Sequence, residues 1–514
     1  MHMKYINKYK NILLSVLTGL LAVAAFPKID LFFLAWIAFV PLISVALNSG
    51  VKKSFFYGFL SGFIFNAAGL YWLVPMLEFN TGSYVQAFVA AGALWIYLAL
   101  YWAVWALLVN VAQKHSPKKY FQWIAVLAPP LIWVLLEYAR TYFLTGFPWM
   151  LLGYSQYKFT EAIQIAEYAG VYGVSFIIVL CNFLFYFWVF KKEKKYLYAA
   201  IAVLAAVCIF GAFKVDKFKY YGDKIFRAVV IQPNIDQYKK WDESYKKEIL
   251  SDLKKFSQEA ASFHADLIVW PETVLPAFDK ESLDAVEASQ NSGGLNILSA
   301  VYLEPRGMLS SWLDAYNVVF VTDKNKAILE MHKKNHLVPF GEFIPFRKQL
   351  SKFFGVLNSF GDISRGTDAA VFTDGELAAG ALICSENFFP DIAAKLVLNG
   401  ARVLTNHTND AWFFDTAAPH QHFIMNVFRA VETRKTVIVC ANSGVSAIVE
   451  ASGKVTKKTP VSKSLIFSEE FLQNGYKSFY TRRGDAFVFF CGLLFLAIII
   501  FEGAHKCLKN KKRE

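Results

Sequence analysis

Charge is scarce in this chain of 514 residues. Asp, Glu, Lys and Arg make up 18%, against 56% hydrophobic and 17% aromatic residues. That share is low for a soluble protein and rules out an ordinary solvated surface over the whole length. Cysteine is scarce too. Of the six, Cys181, Cys208 and Cys491 fall in long apolar runs and Cys507 in a basic tail. Only Cys384 and Cys440 remain in the polar part, which permits one disulfide and excludes a bridged scaffold. Cys440 ends the strand-like run TVIVC and reads as a buried small hydrophobe, whereas polar residues follow Cys384 at once. The histidines His332, His336, His407, His420 and His422 lack a metal-site spacing, so neither a metal nor another cofactor is expected. Internal repeats and low-complexity linkers are missing, which leaves out repeat arrays.

Long apolar runs account for the missing charge. They lie at roughly 11–27, 31–48, 54–75, 85–112, 121–143, 168–190, 196–213 and 485–502. Each approaches the ~20 apolar residues that a spanning helix needs, so about eight transmembrane helices are expected. Basic residues set the orientation. Lys4, Lys8 and Lys10 precede the first run, Lys52 and Lys53 follow the second, and Lys114, Lys118 and Lys119 follow the fourth. Lys191, Lys192, Lys194 and Lys195 follow the sixth, and Lys506, Lys509, Lys511, Lys512 and Arg513 close the chain. The alternate loops are poor in charge, with no Lys or Arg between Pro75 and Tyr84. Both termini are therefore expected in the cytoplasm and the block after residue 213 outside. The net charge of +13 reflects these anchors. Because they are scattered among loops, nucleic acid is not an expected partner. Ala22-Val23-Ala24 has the look of a signal-peptidase site, but a second apolar run follows almost at once, as in an uncleaved anchor.

The expected domains are a membrane domain of about seven helices over 1–213, a soluble block over 220–475, a last spanning helix over 485–502 and a basic cytoplasmic tail over 503–514. Within the block, β-branched runs such as FRAVVIQPNI, ADLIVWPE, AAGALICSE, ARVLTNHTND and TVIVCANSG alternate with helical stretches at 242–263 and 418–433. Gly, Asn and Pro mark the junctions. This is the pattern of an α/β fold with helices covering a layered sheet.

Three residues stand where predicted strands end, the usual station of catalytic groups in such sheets. Glu272 follows LIVW in a Pro-Glu turn, Lys334 follows the hairpin-like NVVFVTDKNKAILEMHKK, and Cys384 follows ALI. Alone, each has an ordinary reading: a solvated loop carboxylate, one of a lysine pair, a buried thiol. Together they supply a general base, a cation and a nucleophile, a set able to make and break acyl–thioester bonds.

The same segments resemble the carbon–nitrogen hydrolase (nitrilase-like) superfamily, whose members share a Glu-Lys-Cys triad in that chain order. HLVPFGEFIP, ICSE and TNDAWF resemble its membrane-bound branch, the apolipoprotein N-acyltransferases. So do WVLLEYAR and TGFPWMLLGYSQ at 133–156, IQPNIDQYKKW at 231–241, PHQHFIMNVFRAVETR at 419–434 and ANSG at 441–444. The resemblance implies an extracytoplasmic α-β-β-α sandwich attached to a polytopic domain in a bacterial inner membrane. It implies Glu272 as base, Lys334 as oxyanion partner and Cys384 as nucleophile, with Glu342, Glu386 and Trp241 in support. It implies a phospholipid acyl donor, a diacylglyceryl apolipoprotein acceptor, a thioester intermediate with ping-pong kinetics, and a protein acting as a monomer. Ser385 departs from the family, where an aromatic residue often follows the cysteine.

Two other readings compete. A membrane-anchored amidase would use the same triad but needs at most one spanning helix. A transporter or assembly protein would have no use for the triad. Two features stand apart: Glu137 and Arg140 near an outer span end are expected to pair, and five phenylalanines among basic residues at 343–360 are expected to dip into the membrane interface.

Overall fold

A computed structural model describes residues 2–115, 121–305, 313–323, 325–350, 352 and 362–511. The chain forms two compact units. One comprises Met1–Val215, Thr416–Gln421 and Asp485–Glu514; the other comprises Asp216–Asp415 and His422–Gly484.

The first unit is helical. Among the described residues, four helices have the length and hydropathy to cross a membrane: Tyr84–Lys114, Ile124–Thr145, Ala162–Lys191 and Lys194–Phe218. Val51–Gly69 and Leu73–Thr81 make a fifth if taken as one span bent by 63°. The eight apolar runs are thus not eight uniform helices. Pro75 explains the bend, because in a continuous helix its ring would meet the carbonyl of Tyr71. The Gly69 carbonyl that the break frees accepts Gln421 Nε2 at 3.0 Å, while the Gln421 side-chain oxygen accepts the indole N–H of Trp72 and Trp149 at 3.0 and 2.8 Å. The run at 31–48 starts as a 3-10 turn, Phe32–Trp36, and continues only as Val40–Leu47. By contrast, Pro129 and Pro130 sit inside the helix Phe121–Tyr142 without breaking it. The Ala125 carbonyl deprived of its partner by Pro129 accepts Gln113 Nε2 at 2.7 Å instead.

Glu137 and Arg140 do not form the direct ion pair expected of them. Each holds the loop after the helix: Leu152 N donates to Glu137 Oε1 at 2.7 Å and Arg140 Nη2 donates to Met150 O at 3.3 Å.

The second unit contains twelve strands among the described residues. They are β1 (Lys224–Gln232), β2 (Leu267–Val269), β3 (Leu295–Pro305), β4 (Leu313–Thr322), β5 (Ile328–Lys333), β6 (Val371–Asp374), β7 (Leu377–Ile383), β8 (Val403–Thr408), β9 (Val437–Ala441), β10 (Ala447–Val449), β11 (Val455–Lys458) and β12 (Leu465–Gln473). They form two six-stranded sheets, ordered β12-β1-β2-β3-β4-β5 and β11-β10-β9-β8-β7-β6. The central strands β1–β2–β3 and β7–β8–β9 run parallel, and the outer pairings are antiparallel. Buried on both faces, β2 and β7 read as continuous apolar runs, LIV and LAAGALI.

Strand periodicity divides the apolar side chains. Val230, Val269, Ile297 and Val319 share one cluster with Ala379, Ile383 and Ile438 of the other sheet. Their neighbours Val229, Ile231, Ile268 and Leu298 instead pack with Leu250 and Leu253 of the helix Lys246–Ser262. Each fully buried aliphatic side chain contributes about 1.5–3 kcal/mol of transfer free energy. Cys440 lies in the shared cluster with its Sγ 3.2 Å from both Ile231 O and Val269 O. Cys384 and Cys440 are both free thiols, so the one disulfide that the cysteine count permits is not formed.

Candidate active site

Glu272 follows β2 by three residues and is buried. Its Oε1 accepts Asn317 Nδ2 at 2.7 Å and faces Lys334 Nζ at 3.4 Å; its Oε2 accepts the backbone N–H of Asn409 at 2.9 Å. The next residue, Thr273, has φ +47°, an unfavourable conformation for a β-branched side chain. Two contacts hold it there. Thr273 N donates to Ser299 Oγ at 2.8 Å, and Lys240 Nζ donates to Thr273 Oγ1 at 2.7 Å and to Glu272 O at 3.2 Å. Lys240 is itself buried, which lowers its pKa to about 8 against the upward pull of the Glu272 charge.

The alternation of β5 separates the adjacent lysines. Lys333 turns outward to Glu304 Oε2 at 2.5 Å, with its ammonium 4.2 Å from the Tyr316 ring centroid. Lys334, 1% exposed, turns inward to Glu342 Oε1 at 2.8 Å. Burial alone would lower the Lys334 pKa, but the charges of Glu342, Glu272 and Cys384 outweigh it and hold it above the ordinary value. Glu342 Oε2 accepts Val338 N at 2.8 Å, and Asn317 Nδ2 stands 3.2 Å from Glu342 Oε1. Asn317 thus ties the two carboxylates that flank the ammonium. Beneath them Gly366 N donates to Lys334 O at 2.8 Å; a Cβ on Gly366 would run into the Lys333 carbonyl.

Cys384 is the first residue after β7 and has φ +50°, a left-handed turn that a cysteine rarely adopts. It opens the 3-10 turn Cys384–Phe388. Burial raises its thiol pKa well above the ordinary range. The charges of Glu272 and Asp410 push the same way, and Lys334 with a Thr408 hydrogen bond pulls back. A thiol held this way keeps its proton, and any nucleophilic use of it would need a base.

Glu386 anchors this turn. Its Oε2 accepts Ile383 N at 2.8 Å and lies 3.2 Å from His332 Nε2; its Oε1 accepts Asn335 N at 2.5 Å. Burial would raise its pKa, but His332 and the two backbone N–H groups hold it below the usual carboxylate range. Ser385 is buried with its hydroxyl unpartnered. Trp241 is not drawn into the cluster: it is 53% exposed, with Lys240 Nζ 5.5 Å from its ring.

The structure therefore brings Glu272, Lys334, Glu342 and Cys384 together, adds Glu386 as a brace and leaves Trp241 at the surface. Several polar residues escaped the sequence reading: Lys240, Asn317, Thr408, Asn409, Asp410 and His422. Thr408, Asn409 and Asp410 open the TNDAWF run, and Asn317 is a polar residue at the head of the apolar NVVFV. Half of the five-phenylalanine segment, with Phe353, Phe354 and Phe360, lies outside the described residues; just before and within it Phe340 and Phe346 are exposed.

Two family models match the chain: apolipoprotein N-acyltransferase N-terminal domain over residues 18–184, and carbon–nitrogen hydrolase over residues 227–469. An apolipoprotein N-acyltransferase of Geobacter metallireducens is 34% identical over 506 residues, covering 96% of both chains. One from Methylococcus capsulatus is 32% identical over 480 residues, covering 90% of this chain and 89% of that one. A third, from Haemophilus influenzae, is 29% identical over 518 residues, covering 96% and 95%.

Proposed function

Since this chain belongs to the apolipoprotein N-acyltransferase family of integral bacterial membrane proteins, we propose that it N-acylates lipoproteins by carrying a fatty acyl chain on Cys384. The donor in this reading is a membrane phospholipid and the acceptor the free α-amino group of an N-terminal diacylglyceryl-cysteine. The observation that carries it is the buried ammonium of Lys334 set between Glu272 and Glu342, close enough to Cys384 for each to act on the other's charge.

Glu272 takes the Cys384 proton, and the thiolate attacks the phospholipid ester carbonyl. The oxyanion that forms is met by Lys334 and backbone N–H groups. Collapse breaks the C–O bond, the lysophospholipid alkoxide takes the proton back from Glu272, and a thioester stays on Cys384. The acceptor amine then attacks the thioester carbonyl and gives its proton to Glu272. The C–S bond breaks and the thiolate recovers that proton. Both lipids use one site in turn, so the kinetics are ping-pong. Glu342 holds the ammonium, Glu386 holds the cysteine turn, and the exposed Trp241 meets substrate. No step calls for a metal or cofactor.

The same reading includes eight spans, cytoplasmic termini, a periplasmic catalytic block of α-β-β-α layers and a protein acting as a monomer. Two sheets sharing one apolar cluster, with helix Lys246–Ser262 packed on the far face of one, support the layering. A reporter active only outside the cytoplasm should work when fused after residue 214 and fail at residue 514; a working fusion at 514 refutes the topology. A membrane-anchored amidase remains the second reading, disfavoured by four or five apolar helices where one anchor suffices.

Acyl loading separates the two. With labelled phospholipid and no acceptor, the protein should accumulate an acyl group, since water competes poorly in an apolar site. Neutral hydroxylamine should release it, and a diacylated lipopeptide should discharge it to an N-acyl product. Cys384→Ala should carry no label. An adduct that survives in Cys384→Ala, or one found on Cys440, ends this mechanism.

A further inference from the structure

Parallel pairing of β7 with β8 sets Ile383 opposite His407, and the next step of the ladder brings Thr408 beside Cys384. Thr408 is buried at 2% exposure, and its hydroxyl oxygen has three polar neighbours: Cys384 Sγ at 3.5 Å, Asp410 Oδ1 at 3.1 Å and His422 Nδ1 at 3.5 Å. It has one proton to give. His422 Nδ1 stands 2.7 Å from Asp410 Oδ1 and donates to it, so that nitrogen is not an acceptor for Thr408. The other ring nitrogen faces Asn387 Oδ1 at 3.2 Å and Cys384 O at 3.3 Å. The Thr408 proton therefore chooses between one carboxylate oxygen and the sulfur.

We infer that Thr408 is a further catalytic residue, a rotating donor that turns its hydroxyl from Asp410 to Cys384 Sγ only when the sulfur carries negative charge. With a neutral thiol or a thioester, Asp410 is the better acceptor and holds the proton. Once the sulfur is a thiolate, a charge-assisted bond to it competes. A contact that strengthens only as charge develops lowers the barrier without tightening the ground state. It acts when Glu272 takes the thiol proton and the S–C bond forms, and again when the C–S bond breaks and the thiolate leaves. Asp410 and His422 are positioning residues in this scheme. Gly444 makes room for them, because a Cβ there would collide with the Asp410 carboxylate. The charged groups acting on the sulfur are Glu272, Lys334 and Asp410, while His422 Nε2 lies against the Cys384 carbonyl. Lys334 is engaged by Glu342 at 2.8 Å, and Thr408 is the residue with a hydrogen bond to Sγ among the described residues.

The inference rests on Cys384 as nucleophile, so its test avoids both lipid substrates. Iodoacetamide alkylation of Cys384 in the full-length protein in detergent, followed at the Cys384 peptide by mass spectrometry, gives rate against pH. Thr408→Val should move the midpoint up by about one pH unit, roughly tenfold slower alkylation below it. Thr408→Ser, which keeps the hydroxyl, should restore most of the shift. Asp410→Asn, which removes the competing charge, should move the midpoint down. A Thr408→Val profile that superimposes on the parent overturns the inference, as does a Thr408→Ser profile shifted as far as the valine. If the valine variant does not fold, an Asp410→Asn midpoint that stays or rises overturns it equally. The expected alkylation shifts in a protein that takes no acyl chain would keep Thr408 and refute the acyl-enzyme alone.

Discussion

Glu386 accepts the backbone N–H of Asn335 at 2.5 Å, which fastens the residue after Lys334 to the residue two past Cys384. The other oxygen of the same carboxylate accepts Ile383 N, just before the cysteine. One buried side chain thus sets the spacing between a strand end from each sheet, β5 and β7.

Glu386→Gln should slow acyl transfer by about 10²-fold, because a shift of about 1 Å between reacting groups has that effect. One amide can accept in only one of the two places, and the orphaned N–H costs about 1–3 kcal/mol. A pH signature accompanies this. The folded pKa of Glu386 lies below the unfolded value of ~4.3. Its stabilisation is therefore present above that value and lost as pH falls through the folded pKa. Thermal unfolding should show the parent losing more stability than Glu386→Gln below about pH 4; equal losses would leave Glu386 without this role.

Adjacent lysines should behave oppositely. Lys334→Met removes the buried cation between Glu272, which is buried, and the half-buried Glu342, a change that typically costs about 3–5 kcal/mol for a buried pair, and acyl transfer should fall by at least about 10²–10³-fold. Lys333→Met loses a partly exposed pair with Glu304 and a contact with the Tyr316 ring. Its unfolding temperature and activity should stay close to the parent. Comparing both variants by lipopeptide acylation and thermal melting checks the register of β5.

Lys240 makes a third case. Its pKa of about 8 in the folded protein lies below the unfolded ~10.4. Below about pH 8 it is charged in both states and the burial penalty weighs in full. Between those two values only the unfolded chain keeps the proton, so the parent gains stability as pH rises. Lys240→Met should lack this gain, and its unfolding temperature should fall relative to the parent between about pH 7 and about pH 9.5. Acyl transfer should slow as well, since the turn holding Glu272 loses two hydrogen bonds. A difference in melting that does not change with pH would show that Lys240 does not titrate as described.

Much of the cluster was legible because its members stand at strand ends. An apolar run of three to seven residues followed by Pro-Glu or Cys-Ser announces both the strand and its exit, and Glu272 and Cys384 were found that way; Lys334 was placed by the hairpin-like run before it and by the resemblance of HLVPFGEFIP after it. Thr408 was not, although it ends β8, because a threonine inside a β-branched run is read as part of the strand. Lys240 sits in YKKW, where a lysine pair reads as a solvated face; its burial depends on the Thr273 turn 33 residues away. The bent helix pair was missed for a similar reason. Hydropathy over 54–75 does not register that Pro75 has no N–H to give the Tyr71 carbonyl, which accepts Val74 N at 3.2 Å instead.

Local chemistry alone determined that this chain has membrane-length apolar runs and an α/β block with a cysteine, a glutamate and a lysine at strand ends. Hydropathy, period and residue type are properties of neighbours in the chain, so they survive without coordinates. Tertiary structure decided which groups meet. Glu342 rather than solvent faces Lys334, Asn317 ties two carboxylates, and Thr408 reaches the Cys384 sulfur. Those choices join residues 8 to 62 positions apart, and only the register of two sheets, which set residues far apart in sequence within hydrogen-bonding distance, could make them.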